Sequence, residues 1–435
     1  MRSLEKTSSC FRDFAHYTIL SILGTLGVSC YILADTFFVS KGLGTNGLAA
    51  LNLAIPVYNF IHGTGLMLGM GGATKFSVYK SQNRKKEVNQ IYTHTIYLAT
   101  LFSLLFALFG FFFSNQLALV LGADSNILQM TATYLRWLLL AAPAFVFNDV
   151  FLCFVRNDKS PQLSMTAMLI GSFANIVLDY VFIFLMQWGI FGAVFATGLS
   201  PIISIMIMLP HWTRKKNTFH FIKVKLDADI VKQELSLGFP SFIAQLSSGV
   251  VMIVFNVIIL NLAGNTGVAA YGVIANISLV TMAVFTGIAQ GVQPLISNFY
   301  GKGNQKQVHM LLGYAMITML VLSCSIYLFI FIFAPQIASI FNSEGSVILQ
   351  QIAQQGLKLY FISLAFMGYN MILAIFFTSI ERALPAHILS LLRGLILIIP
   401  MALLLSALWG MTGIWLTYPI TEFIVAIIGY VIYKH

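Results

Sequence analysis

Charge is what this sequence has least of. Only 9% of its 435 residues are charged and 58% are hydrophobic, whereas soluble domains carry roughly 25% charged residues. No polar stretch is long enough to fold as a separate soluble domain. Cysteine is also scarce. Cys10, Cys30, Cys153 and Cys324 stand apart with no CxxC pair, which argues against a disulfide framework or a metal site and for small packing residues. No Walker A pattern occurs, since Gly301-Lys302-Gly303 lacks both the spacing and the Ser/Thr. No Ser-His-Asp or HExxH set is present, and His62, His94 and His309 are isolated and read as structural. The chain therefore reads as no enzyme and no ATP-driven machine, with no cofactor expected.

What is there is apolar sequence, with a mean hydropathy of +0.87. Runs of about 20 residues recur along the chain, each able to cross a ~30 Å hydrocarbon core. The pattern predicts twelve spans: 14–39, 48–74, 92–114, 131–154, 163–186, 190–211, 236–262, 268–297, 309–333, 352–378, 385–408 and 411–433. Arg2, Lys6 and Arg12 resemble the charged start of a signal peptide, but the run 14–39 is too long for one. It reads as the first membrane helix.

The net charge of +10 is a topology signal rather than a nucleic-acid footprint. With the N-terminus in the cytoplasm, the inside loops hold Lys80, Arg84, Lys85 and Lys86, then Arg156 and Lys159, then the Arg214–Lys232 cluster, Lys302, Lys306 and Arg382. The outside loops hold little beyond Lys41, and Arg136 and Lys358 lie near outer helix ends. This follows the positive-inside rule and places both termini in the cytoplasm of a bacterial-type cell membrane. The stretch 212–235 reads as a cytoplasmic linker, solvated or touching anionic lipid, between lobes 1–211 and 236–435.

Those lobes resemble each other. NGLAALNLAIPV from Asn46 matches TGVAAYGVIANI from Thr266, and an offset of 220 also places Gly71 on Gly291 and Lys86 on Lys306. Later the offset becomes 221 or 222, pairing Trp188 with Trp409, Asn148 with Asn370 and Arg136 with Lys358. Six spans per lobe is an even number, so the repeat is parallel. The fold class is thus an all-α polytopic membrane protein of two six-helix bundles. The glycines of the second helix, Gly63, Gly65, Gly69, Gly71 and Gly72, read as close packing.

Acids inside spans are costly and are candidate sites. They are Asp35, Asp149, Asp179 and Glu422. Asp35 lies ~6 Å, Asp179 ~12 Å and Thr197 ~10 Å from the outer helix ends at 1.5 Å per residue. Asn175 is one turn from Asp179 on the same face. If their faces converge, two carboxylates, an amide and a hydroxyl form a cluster for a proton or Na⁺. Spacing alone leaves open that Asp35 is surface-exposed and that Asp179 bonds a neighbouring helix. Asp149 reads as a structural partner of Arg156. Glu422 and Arg393 have no visible partner, and either a structural pair or a cavity-lining role fits.

Asp35-Thr-Phe-Phe-Val-Ser with GLGTNGLAALNLAIPV, and Arg156-Asn-Asp-Lys-Ser-Pro161, resemble the first loop region and the RND-x-x-P loop of MATE transporters, the multidrug and toxic compound extrusion family. The resemblance covers essentially the whole chain. It implies a cation-coupled antiporter that exports organic, often cationic and amphipathic compounds in exchange for H⁺ or Na⁺. It implies coupling in the N-terminal lobe through Asp35, Asn175, Asp179 and Thr197; from the residues themselves, Asn148 and Arg393 are candidate accessory positions. The family's other branch uses acids in the seventh and tenth helices, and none is expected there. Relatives often carry a proline in the first helix, and this chain has none; Pro240 aligns with Leu20, and Gly24 and Gly27 remain as points of deformation. The expected partners are small-molecule substrates and the bilayer, with no nucleic acid, and a monomer is expected. The alternative is a lipid-linked oligosaccharide flippase of the same superfamily, which needs a cationic cavity; Arg393 is its main candidate.

Overall fold

The computed structural model describes the backbone of residues 2–342 and 345–434 and the side chains of 10–342 and 345–434. Arg2 and Lys6 of the charged start, and the chain ends Met1 and His435, lie outside the described side chains. The described chain is helical nearly throughout. Besides a single helical turn at Pro210–Thr213, twelve long helices follow among the described residues: α1 (2–43), α2 (45–81), α3 (Lys85–Val120), α4 (128–157), α5 (161–185), α6 (189–208), α7 (228–263), α8 (265–301), α9 (Gln305–Phe341), α10 (347–379), α11 (383–409) and α12 (411–434). Most run several residues beyond the expected spans, because apolar periodicity ends before the hydrogen-bonded helix does. Helix α4 bends by 46° at Ala141. The apolar faces of α3 and α9 stay exposed, with Leu104, Phe112, Ile317 and Leu328 each more than half accessible. Only a hydrocarbon solvent covers such faces at no cost.

Backbone conformation carries the repeat. α1 and α2 meet at Gly44 (φ 68°, ψ −159°), and α7 and α8 meet at Gly264 (φ 60°, ψ −157°). Only glycine adopts this region readily. The two breaks lie 220 residues apart. The left-handed residues Asn83 and Gly303 repeat that offset, Lys159 and Glu381 fall at 222, and Gly189 and Gly410 at 221. Two copies of one backbone plan therefore follow each other along the chain.

Two compact units result. One comprises Ile19–Leu246 and Ser297–Gln305; the other comprises Met1–Thr18, Ser247–Ile296 and Lys306–His435. Neither boundary follows the loops, and glycine packing explains why. In the first unit a Cβ at Gly71 (α2) would fall on the Glu234 carbonyl, and one at Gly238 (α7) would fall on that of Met67. The start of α7 thus lies backbone-to-backbone on α2. In the second unit Gly291 (α8) meets Tyr17 and Thr18 of α1 in the same way. Gly63, Gly65, Gly69 and Gly72 likewise admit α7, α4 and α3 against α2, which is close packing. Gly24 and Gly27 do the same for α1, against Met168 and Leu169 of α5.

The segment 212–235 is not the solvated connector its charge suggested. Phe219 is fully buried, its ring 4.5 Å from that of Tyr92 and 5.4 Å from that of Phe154. The N–H groups of His220 and Ile222 donate to Asn89 Oδ1 (2.8 Å) and Thr93 Oγ1 (3.1 Å), one turn apart on α3. Asp227 N donates to His94 Nε2 at 3.0 Å, so His94 is structural. The cysteines divide: Cys10 and Cys153 are buried packing residues, but Cys30 and Cys324 are exposed, against expectation.

Candidate functional site

The site is built on the register between α1 and α5. Gly24 lies against Met168, Gly27 against Leu169 and Ser172, Phe38 against Tyr180, and Gly42 against Ile183 and Phe184. The numbers rise together, so the helices run parallel, and Asp35 comes level with Asp179. α6 returns antiparallel to α5: Gly171 lies against Ser200 and Ser204, and Gly192 against Phe182. That pairing sets Thr197 opposite Asn175. Asp35, Asn175, Asp179 and Thr197 are all buried, at 7, 0, 0 and 4% exposure. The surface-exposed reading of Asp35 is thereby removed.

These groups lack partners. Among the described residues, Asp35 Oδ1, both oxygens of Asp179 and both polar atoms of the Asn175 amide have no hydrogen bond. The Thr197 hydroxyl donates to the Ala193 carbonyl at 3.0 Å, which leaves its lone pairs for another donor or a cation. A buried carboxylate without a partner is expensive, by several kcal/mol per ion, and two together repel. Such a cluster is stable only with a positive charge or a proton between its oxygens. The donor set is all oxygen and suits a hard monovalent ion or a proton.

Sequence reasoning missed the aromatic floor of this site. Tyr134 of α4 is buried beside Thr197 and lies within electrostatic reach of Asp35 and Asp179. Tyr31, one turn from Asp35, shares a 2.7 Å hydroxyl hydrogen bond with Tyr58 of α2. The two tyrosines stand almost equally far from the Gly44 break, which is the only available signal that they meet. His62, read as isolated, instead lies with Nδ1 2.8 Å from Asp149 Oδ2. The two lie within ion-pair distance, and the contact is charged when His62 is protonated. Asp149 thus has a histidine partner on α2, with Arg156 acting on it from farther along α4.

The accessory residues separate. Asn148 is half-buried with its Oδ1 unpartnered. Arg393 is paired: its Nη2 lies 2.8 Å from Glu422 Oε1, and Asn370 Nδ2 donates to Glu422 Oε2 at 2.7 Å. Its charge is therefore cancelled, which removes the main candidate for a cationic cavity. The expectation of no acid in the seventh helix also fails. α7 begins eight residues before the expected span and contains Glu234, fully buried, with both carboxylate oxygens unpartnered among the described residues. The tenth helix contains no acid.

The RND segment closes the opposite end of this unit. Asp158 takes hydrogen bonds from Lys80, from His211 Nε2 (2.9 Å) and from Thr218 N (2.8 Å). Asn157 accepts from Ser77 at 2.7 Å. Burial disfavours the Asp158 carboxylate, but His211, Lys80 and Thr218 outweigh it and hold its pKa below the ordinary range.

The MatE family model matches residues 21–181 and 240–404, one stretch in each half of the repeat. The multidrug export protein MepA of Staphylococcus saprophyticus is 25% identical over 424 residues, spanning 97% of this chain and 92% of that protein. The MepA protein of a Staphylococcus aureus strain is 24% identical over 425 residues with the same coverage. Among solved structures, the outward-facing conformation of a multidrug resistance MATE family transporter of the MOP superfamily superposes with a TM-score of 0.90 at 25% identity. It covers 96% of this chain and 94% of the other.

Proposed function

This chain belongs to the MatE family, and we propose that it is a monomeric, multi-pass antiporter of a bacterial cell membrane that exports organic compounds in exchange for a cation. The export reading is supported by relatives named for multidrug export, similar along nearly their whole length. Amphipathic cations are the substrate class we propose. Asp35, Asn175, Asp179 and Thr197 hold the coupling ion, H⁺ or Na⁺, and the Gly44 end of the helices faces outward with both chain termini inside. The basic loops support this orientation.

One observation carries the coupling role: Asp35 and Asp179 are level across two parallel helices and buried, with Asp35 Oδ1 and both Asp179 oxygens unpartnered among the described residues. Ion binding neutralises the pair and favours one state of the transporter, while substrate binding favours the other. Exchange follows from that difference in affinity.

The test is ethidium efflux from proteoliposomes under an imposed ΔpH or Na⁺ gradient. One gradient should drive efflux, and Asp35→Asn and Asp179→Asn should each abolish it while the protein still inserts. Full activity in both variants would sink the proposal.

A further inference from the structure

The pair at His62 and Asp149 is not absorbed by the coupling site. It lies farther from the Gly44 break than Asp35 does, by ~13 Å along the helices at 1.5 Å per residue. Between the two places stand Tyr31 and Tyr58. Their hydroxyls are 2.7 Å apart, and either can be the donor. Tyr31 interacts electrostatically with Asp35 on one side and Asp149 on the other, and so does Tyr58. The Tyr58 ring stacks on that of His62, with centroids 5.9 Å apart and planes at 14°. Asp149 is buried, while a quarter of the His62 side chain is accessible. α2 is thinned here: a Cβ at Gly65 would fall on the Asp149 carboxylate.

We propose that His62 and Asp149 form a second, inner proton-holding site, joined to Asp35 and Asp179 by the Tyr31 and Tyr58 hydroxyls. The inference rests on the coupling role proposed for Asp35 and Asp179, and it makes the coupling ion a proton. Two general properties and one observation favour a relay over a structural pair. A buried ion pair contributes little stability compared with apolar residues of its size. Histidine is the side chain suited to gaining and losing a proton near neutral pH. A hydroxyl pair that can reverse its donor is the element a proton path needs, and it is placed between two acidic positions.

The transfer balances. The Asp35 carboxyl gives its proton to one hydroxyl as that hydroxyl's own proton moves to the other. The second hydroxyl's proton passes to the His62–Asp149 pair, with water spanning the steps on either side. Asp35 ends as a carboxylate, both tyrosines end as neutral phenols, and the inner pair holds one more proton, which His62 releases through its accessible edge. The titratable and charged groups around Asp149 are His62 and Tyr58 on α2, Tyr31 and Asp35 on α1, and Cys153 and Arg156 on its own helix.

The purified full-length chain in detergent tests this without any substrate. Infrared difference spectra between pH 5 and pH 8 should contain imidazole ring bands that vanish in His62→Gln, and their midpoint should move in Asp149→Asn. Spectra in which His62 does not titrate overturn the proposal. In proteoliposomes, Tyr31→Phe and Tyr58→Phe, which remove one oxygen each, should slow ΔpH-driven ethidium exchange about tenfold or more relative to gradient-free counterflow. Wild-type rates in the double Phe variant also overturn it, as does exchange driven by Na⁺ alone. Failure of the outer reading is separate: it appears as normal coupling in Asp35→Asn and leaves the titration of His62 untouched.

Discussion

Phe255 stands in α7 at the position Asp35 holds in α1, 220 residues earlier, and its ring lies 5.6 Å from that of Tyr418. Tyr418 in turn is the counterpart of Thr197 at the offset set by Gly189 and Gly410. Where the first half buries a carboxylate and a hydroxyl, the second sets buried Phe255 edge-to-face against half-buried Tyr418. Tyr271, Tyr360 and Trp415 extend that cluster. The scaffold is shared, but one half holds unpartnered buried acids and the other is filled with rings.

An unpartnered acid weakens the fold that holds it. Asp35→Asn or Asp179→Asn should therefore raise the thermal midpoint of the purified protein, by a few degrees for a relief of about 1–3 kcal/mol. A lower midpoint in both variants would show that these carboxylates are structurally satisfied.

In the second half the acid is satisfied, and the sign reverses. Glu422→Gln leaves the partly buried Arg393 guanidinium without its counter-charge and should cost about 2–4 kcal/mol. Adding Arg393→Met should recover most of that loss. Equal destabilisation in single and double variants, read by thermal denaturation, would rule out the charge pair as the cause.

Asp158 makes a pH prediction. Its pKa is held down in the folded protein, so its stabilising effect is complete above the ordinary carboxylate value near ~4 and is lost as pH falls through the lowered folded value. Asp158→Asn should destabilise the protein at neutral pH and remove this part of the acid sensitivity. A variant that unfolds in acid along the wild-type curve would contradict it.

The glycine crossing can be probed by a contrast. Gly238→Ala drives a methyl group into the Met67 carbonyl and should sharply reduce the yield of folded protein, whereas Gly272→Ala, with open space at its Cβ, should leave the yield unchanged. Equal yields would mean that α2 and α7 can separate at little cost.

Twelve helices, the parallel repeat and the buried character of Asp35, Asn175, Asp179 and Thr197 were legible because each has a local signal: apolar run length, repeated Gly positions, or an acid within a span. What escaped notice depends on partners far apart in sequence. His62 and Asp149 are 87 residues apart, and neither position announces the other. Tyr31 and Tyr58 look like ordinary apolar-run aromatics until Gly44 folds one helix onto the other. Glu234 was missed for another reason. The polar start of α7 hid a helical turn that hydropathy assigns to the linker.

The docked segment after α6 sets an order of assembly. Phe219 fills the space among Phe76, Tyr92 and Phe154, Thr218 completes the shell of Asp158, and Gly238 seals α2. A nascent chain that has released only its first six helices holds an open aromatic socket and an Asp158 short of its Thr218 donors. The socket can close only after the ribosome has made the segment through the start of the seventh helix, so insertion of the sixth span does not complete the packing around Phe219.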